Sequence, residues 1–452
     1  MATVPTPPPR RFSTRIGSRG RRIVHTGMWS LIAKICAAGN LFISVPFVLR
    51  ALGPDQFGAW ATLVSLVTLA GFLDFGFGNG AMNLIAAAHA RQSREQVTVI
   101  LQESRRALLY VGLCLVPIAV LAVLVIPWNH MLGISGAVAK GRTAAAIVLF
   151  SVVIAIPLNL ANRIQLGLGR GDRAFRWQAV GQLAALISVV ALANAHASLA
   201  VLTAASVSTP LLASLANTYG LARDPNLAST IQLAVGDRSA INRKIRREGS
   251  MFFVLQLAAA LAFSADLPLI SIFRGADEAG TYAIVQRLFS VVPLALSLIW
   301  APLWPTYRQA LAARDRTWVM LTLRRSLAFA VTFAAAGATI LALGFDKIIG
   351  LWVHHPMVVA GIMLAGFACW CVLEAAGTAV ATFLNAASVM RYQLVTSCVF
   401  AVLCVSGKVW VVAHVGIVCL PWVTVATYCL ANILPLLWFR QQIFSGVFAR
   451  KY

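Results

Sequence analysis

Charge is what this chain has least of. Only 11% of its 452 residues are Asp, Glu, Lys or Arg, against about 25% in a soluble domain, so it cannot cover a water-facing surface. Acids are scarcer still, 14 against 37 Lys and Arg. Catalytic signatures are missing: no P-loop, no metal-binding His pair and no nucleophile elbow. An ATP-driven pump or a hydrolase therefore has no starting point. The eight cysteines (Cys36, Cys114, Cys369, Cys371, Cys398, Cys404, Cys419, Cys429) show no C-x-x-C spacing. All lie in apolar runs and read as small buried hydrophobes. His354 and His355 fall in a short loop and read as solvated. Neither a metal nor a cofactor is implied. Residues 1–25 lack the apolar core of a signal peptide. Arg10-Arg11-Phe12 is only a faint twin-arginine pattern, so the segment is expected to be a retained tail.

What is present is apolar: 60% of the residues, gathered in runs of about 20, the length that spans a bilayer. The expected fold is an all-α polytopic membrane protein with twelve spans, near 27–49, 57–82, 107–128, 143–164, 177–196, 199–221, 250–273, 281–306, 327–346, 358–384, 393–414 and 417–439. With the N-terminus placed in the cytoplasm, 29 of the 37 Lys and Arg fall on the cytoplasmic side, 5 on the other, and 3 within spans. That asymmetry puts both termini inside. The net charge of +23 is spread over short connectors rather than grouped on one domain, which argues against nucleic acid. The segment 83–106 mixes apolar and basic positions and is expected to lie at the interface as a helix. No outside loop is long enough to fold alone.

The chain repeats itself. Gly53–Trp60 reads GPDQFGAW and Gly275–Tyr282 reads GADEAGTY, 222 residues apart. At the same offset Gly27 matches Gly249, Pro46 matches Pro268 and Arg94 matches Arg316. Both octapeptides occupy the outside turn between the first and second spans of a six-span unit. Their glycines suit a tight exit turn, and the aromatic at position eight suits an interfacial anchor. Six is even, so the two units run parallel around a central cavity, a known transporter plan. The expected organisation is a disordered basic tail (1–26), a six-helix lobe (27–221), a basic linker (222–249), a second six-helix lobe (250–439) and a tail (440–452).

Two six-helix lobes are the plan of the multidrug/oligosaccharidyl-lipid/polysaccharide exporter superfamily. The stretch LGPDQFGAWATLVSLVTLAGFLDFGFGNG (Leu52–Gly80) resembles the first-to-second-helix signature of its polysaccharide flippase branch, which includes the Wzx-type O-antigen flippases. The shared features are the Gly-x-Asp/Glu-x-aromatic-Gly-x-Trp turn and the Leu-Asp-x-Gly-x-Gly end of span two. The resemblance implies a transporter, not an enzyme, in the bacterial inner membrane. It would move polyprenyl-diphosphate-linked oligosaccharide between leaflets for surface polysaccharide synthesis, alongside a glycan polymerase and glycosyltransferases.

Six ionisable residues fall inside spans: Lys34, Asp74, Asp266, Arg287, Glu374 and Lys408. Each is costly there and marks a candidate site. One reading pairs neighbours at similar depth, Lys34 with Asp74 and Asp266 with Arg287, as structural ion pairs. The other gives Lys34, Arg287 and Lys408 to a diphosphate, replacing its water. Asp74, Asp266 and Glu374 then act as counter-charges or coupling groups. Asn40 and Asn79, with Asn159, Asn162, Gln182 and Gln256, suit a sugar-facing wall because amides both donate and accept; helix–helix hydrogen bonding is the alternative for each. Trp300, Trp304, Trp370 and Trp410 suit stacking on sugars or, alternatively, anchoring and packing. Two further functions compete. A drug or organic-cation antiporter of the same superfamily calls for a net acidic cavity, and these six charges sum to zero. A membrane glycan polymerase or ligase needs catalytic groups in outside loops that are too short to hold them.

Overall fold

The computed structural model describes residues 18–70, 77–133, 138–224, 253–354, 357–387 and 389–449. Among these residues every regular element is a helix. In chain order they are α1 (Ser18–Ala70), α2 (Phe77–Ala90), α3 (Arg94–Val125), α4 (Trp128–Met131), α5 (Val138–Gly167), α6 (Gly171–Asn194) and α7 (Leu199–Ala222). The second half continues with α8 (Phe253–Ser264), α9 (Asp266–Arg274), α10 (Ala276–Phe289), α11 (Val291–Ala312), α12 (Arg316–Leu343) and α13 (Phe345–Trp352). It ends with α14 (Gly361–Ala386), α15 (Met390–His414), α16 (Leu420–Tyr428) and α17 (Leu434–Ala449), the last two joined by a π turn at Cys429–Ile433.

Ten helices are long and apolar enough to cross a membrane, eleven if α8 and α9, bent by 42°, form one broken span. The described residues therefore do not count twelve. The reason lies in His25–Val67, 43 residues counted as one helix. It would be about 65 Å long, twice the hydrocarbon thickness, and it turns at Gly53, where φ is 76° and ψ 172°. The linker 222–249 falls mostly outside the described residues, as do Gly249 and Asp74.

The sequence repeat has a geometric counterpart at the same offset of 222. Gly275 takes φ 97° and ψ 175°, close to Gly53, and this left-handed region favours glycine. Gln92 and Arg314, with φ 59° and 58°, both precede a helix cap. Ser93 accepts from the Gln96 amide to start α3 and Asp315 accepts from the Trp318 amide to start α12, as N-caps do. Asn40 donates to Gln182 at 2.8 Å, and at the matching positions Cys404 donates to the Ala262 carbonyl at 3.7 Å. The two octapeptides also touch. A Cβ on Gly58 would overlap the Ala276 carbonyl, and one on Gly280 would lie 3.3 Å from the Gly58 Cα. Glycine at position six is thus required by the close approach of α1 and α10.

Proline explains a contact between the halves. Pro46 lies inside α1 and has no N–H to give the Phe42 carbonyl four residues earlier. The Trp352 indole donates to that carbonyl at 2.9 Å.

Apolar burial is uneven along the membrane normal. One cluster draws on both halves near Gly53 and Gly275, including Val45, Phe57, Trp60, Ile270, Tyr282 and Phe345. Toward the end bearing the chain termini the clusters separate. One holds Ile85, Leu108, Ile164 and Leu221 of the first half; another holds Tyr307, Leu323, Phe383 and Val447 of the second. The halves are packed together at one end and have separate cores at the other.

Three sequence expectations are corrected. Trp60 and Tyr282, at position eight of the octapeptides, are 2% and 1% exposed. They are core residues, not interfacial anchors: the Trp60 indole donates to Ser206 Oγ at 3.1 Å. The segment 83–106 does not form its own interfacial helix. It ends α2, turns at 91–93 and begins α3, because the Ser93 cap starts a helix that runs on into the apolar stretch. Of the cysteines only Cys371 and Cys404 are buried, while Cys114 and Cys369 are exposed on helices whose outer faces are apolar.

Candidate functional site

A cavity of about 350 Å³ lies mainly in the second half and is closed on one side by Leu41, Ala61, Val64 and Ser65 of α1. The break between α8 and α9 builds one wall. Pro268, two residues into α9, cannot donate to the Ser264 carbonyl, and the 42° bend sets Asp266 in the first turn of a new helix. A carboxylate is favoured there by the helix dipole. Four of the sequence-predicted charges line this one cavity: Asp266, Arg287, Glu374 and Lys408.

Their pairing differs from the sequence expectation. Asp266 pairs with Lys408, Nζ to Oδ1 at 2.5 Å, not with Arg287. Lys408 is 1% exposed and also donates to the Ala262 carbonyl at 2.7 Å, opposite the bend. Tyr282 donates to the other Asp266 oxygen at 3.0 Å. Chain proximity favours Arg287 as the partner, whereas packing of α15 against the broken helix brings in Lys408. The Ala262 carbonyl and the Tyr282 hydroxyl each add a hydrogen bond to the buried pair, and such bonds help two charges survive in a low dielectric.

Arg287 is left differently. It forms no ion pair among the described residues, and its Nη1 is buried without a hydrogen-bond partner. Its guanidinium lies 4.9 Å from the Trp60 ring and 5.9 Å from the Phe57 ring, both in the first half. Aromatic faces hold a cation by the ring quadrupole without occupying its N–H donors. Glu374 likewise has no ion pair among the described residues and shares its helix with Trp370, which lines the same cavity. Phe263 and Tyr428 pack on Trp370 with ring centroids at 5.4 and 5.3 Å.

Lys34 does not line this cavity. It donates to the Ser297 carbonyl and hydroxyl at 3.1 and 3.2 Å, across to α11. Ser297 is ten residues beyond Arg287, about 15 Å along a helix toward the end bearing the termini. Its expected partner Asp74 lies outside the described residues, and so does the side chain of Asn79. Asn40 is occupied by Gln182. Trp300 is buried and Trp410 stacks on His414, and the side chain of Trp304 lies outside the described residues; among the described members of that set Trp370 lines the cavity. Sequence reasoning missed Gln286, Ser65 and Ser264, which also line the cavity; none carries a charge to draw notice. No group of three His, Cys, Asp or Glu fit to hold a metal occurs among the described residues.

The arrangement presents a guanidinium with free donors, held between the two halves, with a second cation nearer the open end.

The comparisons agree with this architecture. Residues 23–310 match the model of the polysaccharide biosynthesis protein family. The succinoglycan biosynthesis transport protein ExoT of Rhizobium meliloti is 25% identical over 299 residues, 64% of this chain and 54% of that one. The chain thus matches about half the length of that relative. Among solved structures, an inward-facing multidrug resistance MATE family transporter of the MOP superfamily is 16% identical with a TM-score of 0.77, covering 92% of this chain and 98% of that one. An outward-facing MATE structure gives 0.70 at 17% identity, covering 95% and 97%. A MOP superfamily transporter from Pyrococcus furiosus gives 0.68 at 17% identity, covering 95% and 97%. The chain belongs to the polysaccharide biosynthesis protein family, with the fold of the MOP superfamily transporters.

Proposed function

We propose that this transporter moves a polyprenyl-diphosphate-linked oligosaccharide from the cytoplasmic to the outer leaflet of a bacterial inner membrane, for surface polysaccharide synthesis. The observation that carries the reading is Arg287, with an unpartnered buried Nη1 in a cavity shared by both halves. A diphosphate crossing a low-dielectric slab needs its lost water replaced by donors, and a guanidinium supplies them as a fork. Lys34, about 15 Å nearer the open end, meets the headgroup first. Asp266 neutralises Lys408, and Glu374 balances Arg287 while the cavity is empty. The asymmetry of Lys and Arg puts the open end and both termini in the cytoplasm, so the state described is the loading state. Glycosyltransferases would supply the cargo and a glycan polymerase would consume it.

Deleting the gene should trap lipid-linked oligosaccharide on the cytoplasmic leaflet and abolish the surface glycan. Unchanged surface glycan in a strain without a second flippase gene refutes the proposal. Glu374, a carboxyl in the cavity without an ion pair, is the feature that would suit an organic-cation antiporter. Efflux of ethidium that is lost in Glu374→Gln, with normal surface glycan, would favour that function instead.

A further inference from the structure

The first half holds a second cavity, of about 430 Å³, and no residue lines both. It lies among α5, α6 and α7, and Val67 of α1 closes it. Its chemistry is unlike that of the first. Among the described residues no acid and no lysine line it; its polar groups are Asn159, Asn162, Gln178, Gln182, Ser214 and Arg163, beside Trp177.

The amides are set in a specific way. Asn162 Oδ1 accepts from Asn217 at 2.7 Å, and Asn217 Oδ1 accepts from Gln165 at 2.7 Å. Gln182 Oε1 accepts from Asn40 at 2.8 Å. The network engages the carbonyl oxygens of Asn162 and Gln182 once each and leaves their amino groups to donate. Asn159 and Gln178 line the cavity and are exposed, and among the described residues neither side chain engages a protein group. Arg163 has no ion pair among the described residues.

Packing does not require this set. At the offset of 222, Asn159, Asn162, Gln178 and Gln182 correspond to Ala381, Leu384, Phe400 and Cys404. The charges of the other cavity are one-sided too: Arg287, Glu374 and Lys408 correspond to Ser65, Val152 and Leu186. Two copies of one scaffold have taken different chemistry: two acids and two cations in the second half, amides and one arginine in the first. Unengaged amide donors and acceptors beside an indole face fit a polyhydroxylated ring, whose hydroxyls do both and whose C–H face lies on an aromatic. A diphosphate, which only accepts, could use Arg163 and the amino groups but would leave the acceptors of Asn159 and Gln178 unmatched.

We propose that this first-half cavity is the glycan subsite, and that the cavity around Arg287 receives the diphosphate of the same molecule. The proposal rests on the flippase reading. It names Asn159 and Gln178 as sugar contacts, with Asn162 and Gln182 held as donors by Asn217 and Asn40.

The test uses the full chain in lipid nanodiscs and two probes. One is farnesyl diphosphate; the other is the lipid-linked oligosaccharide extracted from host membranes after deletion of this gene. The wild type should prefer the glycan-bearing lipid. Asn159→Leu with Gln178→Met should lose that preference by about tenfold or more, two hydrogen bonds being removed, while farnesyl diphosphate binds as before. Arg287→Ala should weaken both probes. A preference that survives the double substitution overturns the subsite, as does a wild type that binds both probes equally. A wild type that binds neither overturns the flippase reading itself. If the double variant does not fold, the single changes Asn159→Ala and Gln178→Ala serve. Neither residue has a side-chain partner to lose among the described residues, and a preference unchanged in both singles also overturns the proposal.

Discussion

A single methyl group at position 58 should change which end of the protein is open. Gly58 and Gly280 meet where α1 crosses α10, inside the cluster shared by both halves. A Cβ on Gly58 would overlap the Ala276 carbonyl and lie 2.9 Å from the Gly280 amide nitrogen. Both are backbone and cannot swing aside. A Cβ on Gly280 would lie 3.2 Å from Phe57 Cδ1 and 3.3 Å from the Gly58 Cα, so a shift of a few tenths of an ångström relieves it. Overpacking costs about 1–3 kcal/mol, and it is felt only while this end is closed. Gly58→Ala should therefore raise the population opened at this end by about 5- to 150-fold, and Gly280→Ala by less. Spin labels at Asp55 and Asp277, exposed in the two octapeptides, report the distance by double electron–electron resonance in a cysteine-free background. The long-distance fraction should rise in the order wild type, Gly280→Ala, Gly58→Ala. Gly53→Ala is the control: φ is 76° but nothing lies within 4 Å of its Cβ. It should lower thermal stability through backbone strain without lengthening the distance. Identical distributions for Gly58→Ala and wild type, or a larger effect at Gly280, would refute the argument.

Three further outcomes are expected. Lys408→Met or Asp266→Asn alone should destabilise the detergent-solubilised protein by about 3–5 kcal/mol by leaving a buried partner uncompensated, and the double change should recover most of it; thermal unfolding reads this, and singles as stable as the wild type would contradict the pairing. For Lys34, the swap Lys34→Asp with Asp74→Lys should stay inactive in a flipping assay while Lys34→Arg keeps part of the activity; full transport by Lys34→Ala at normal expression removes Lys34 from the path. Trp352→Phe should cost about 1 kcal/mol in the wild type and less in a Pro46→Ala background, where the helix supplies its own donor to Phe42; equal losses in the two backgrounds would sever the link between proline and indole.

The fold was legible because its signals are local. Runs of apolar residues mark helices whatever they pack against, and Gly53 and Gly275 announce turns because few other residues take a φ of 76° or 97°. The spans expected at 57–82 and 281–306 begin late, since α1 and α10 start their turns at once after those glycines. The site was legible only in part. Charge in an apolar run singled out Asp266, Arg287, Glu374 and Lys408, which do converge. Their pairing was not readable, because depth along a helix is encoded in the sequence while azimuth against distant helices is not. Lys408 reaches Asp266 across 142 positions, and only the bend in front of Asp266 makes room for it. Trp60 shows the same limit: an indole eight residues into a turn suits an interface, but here it faces the guanidinium from the opposite half.

The contact between Gly58 and Gly280 also bears on how such a chain came about. A residue that touches its own copy lies beside the axis relating the copies, as in an isologous dimer. An ancestral single unit would have met itself at this glycine. Every side chain in such a homodimer appears twice, so an arginine at position 287 would have brought a second guanidinium to position 65, across the same axis. Two unpaired cations in the hydrocarbon region double a cost that is already severe. Fusion removes that obligation: serine stands at 65 and arginine at 287. Joining the copies in one gene lets a membrane cavity carry one guanidinium against an aromatic wall without a symmetry-related second, an arrangement that strict twofold symmetry forbids.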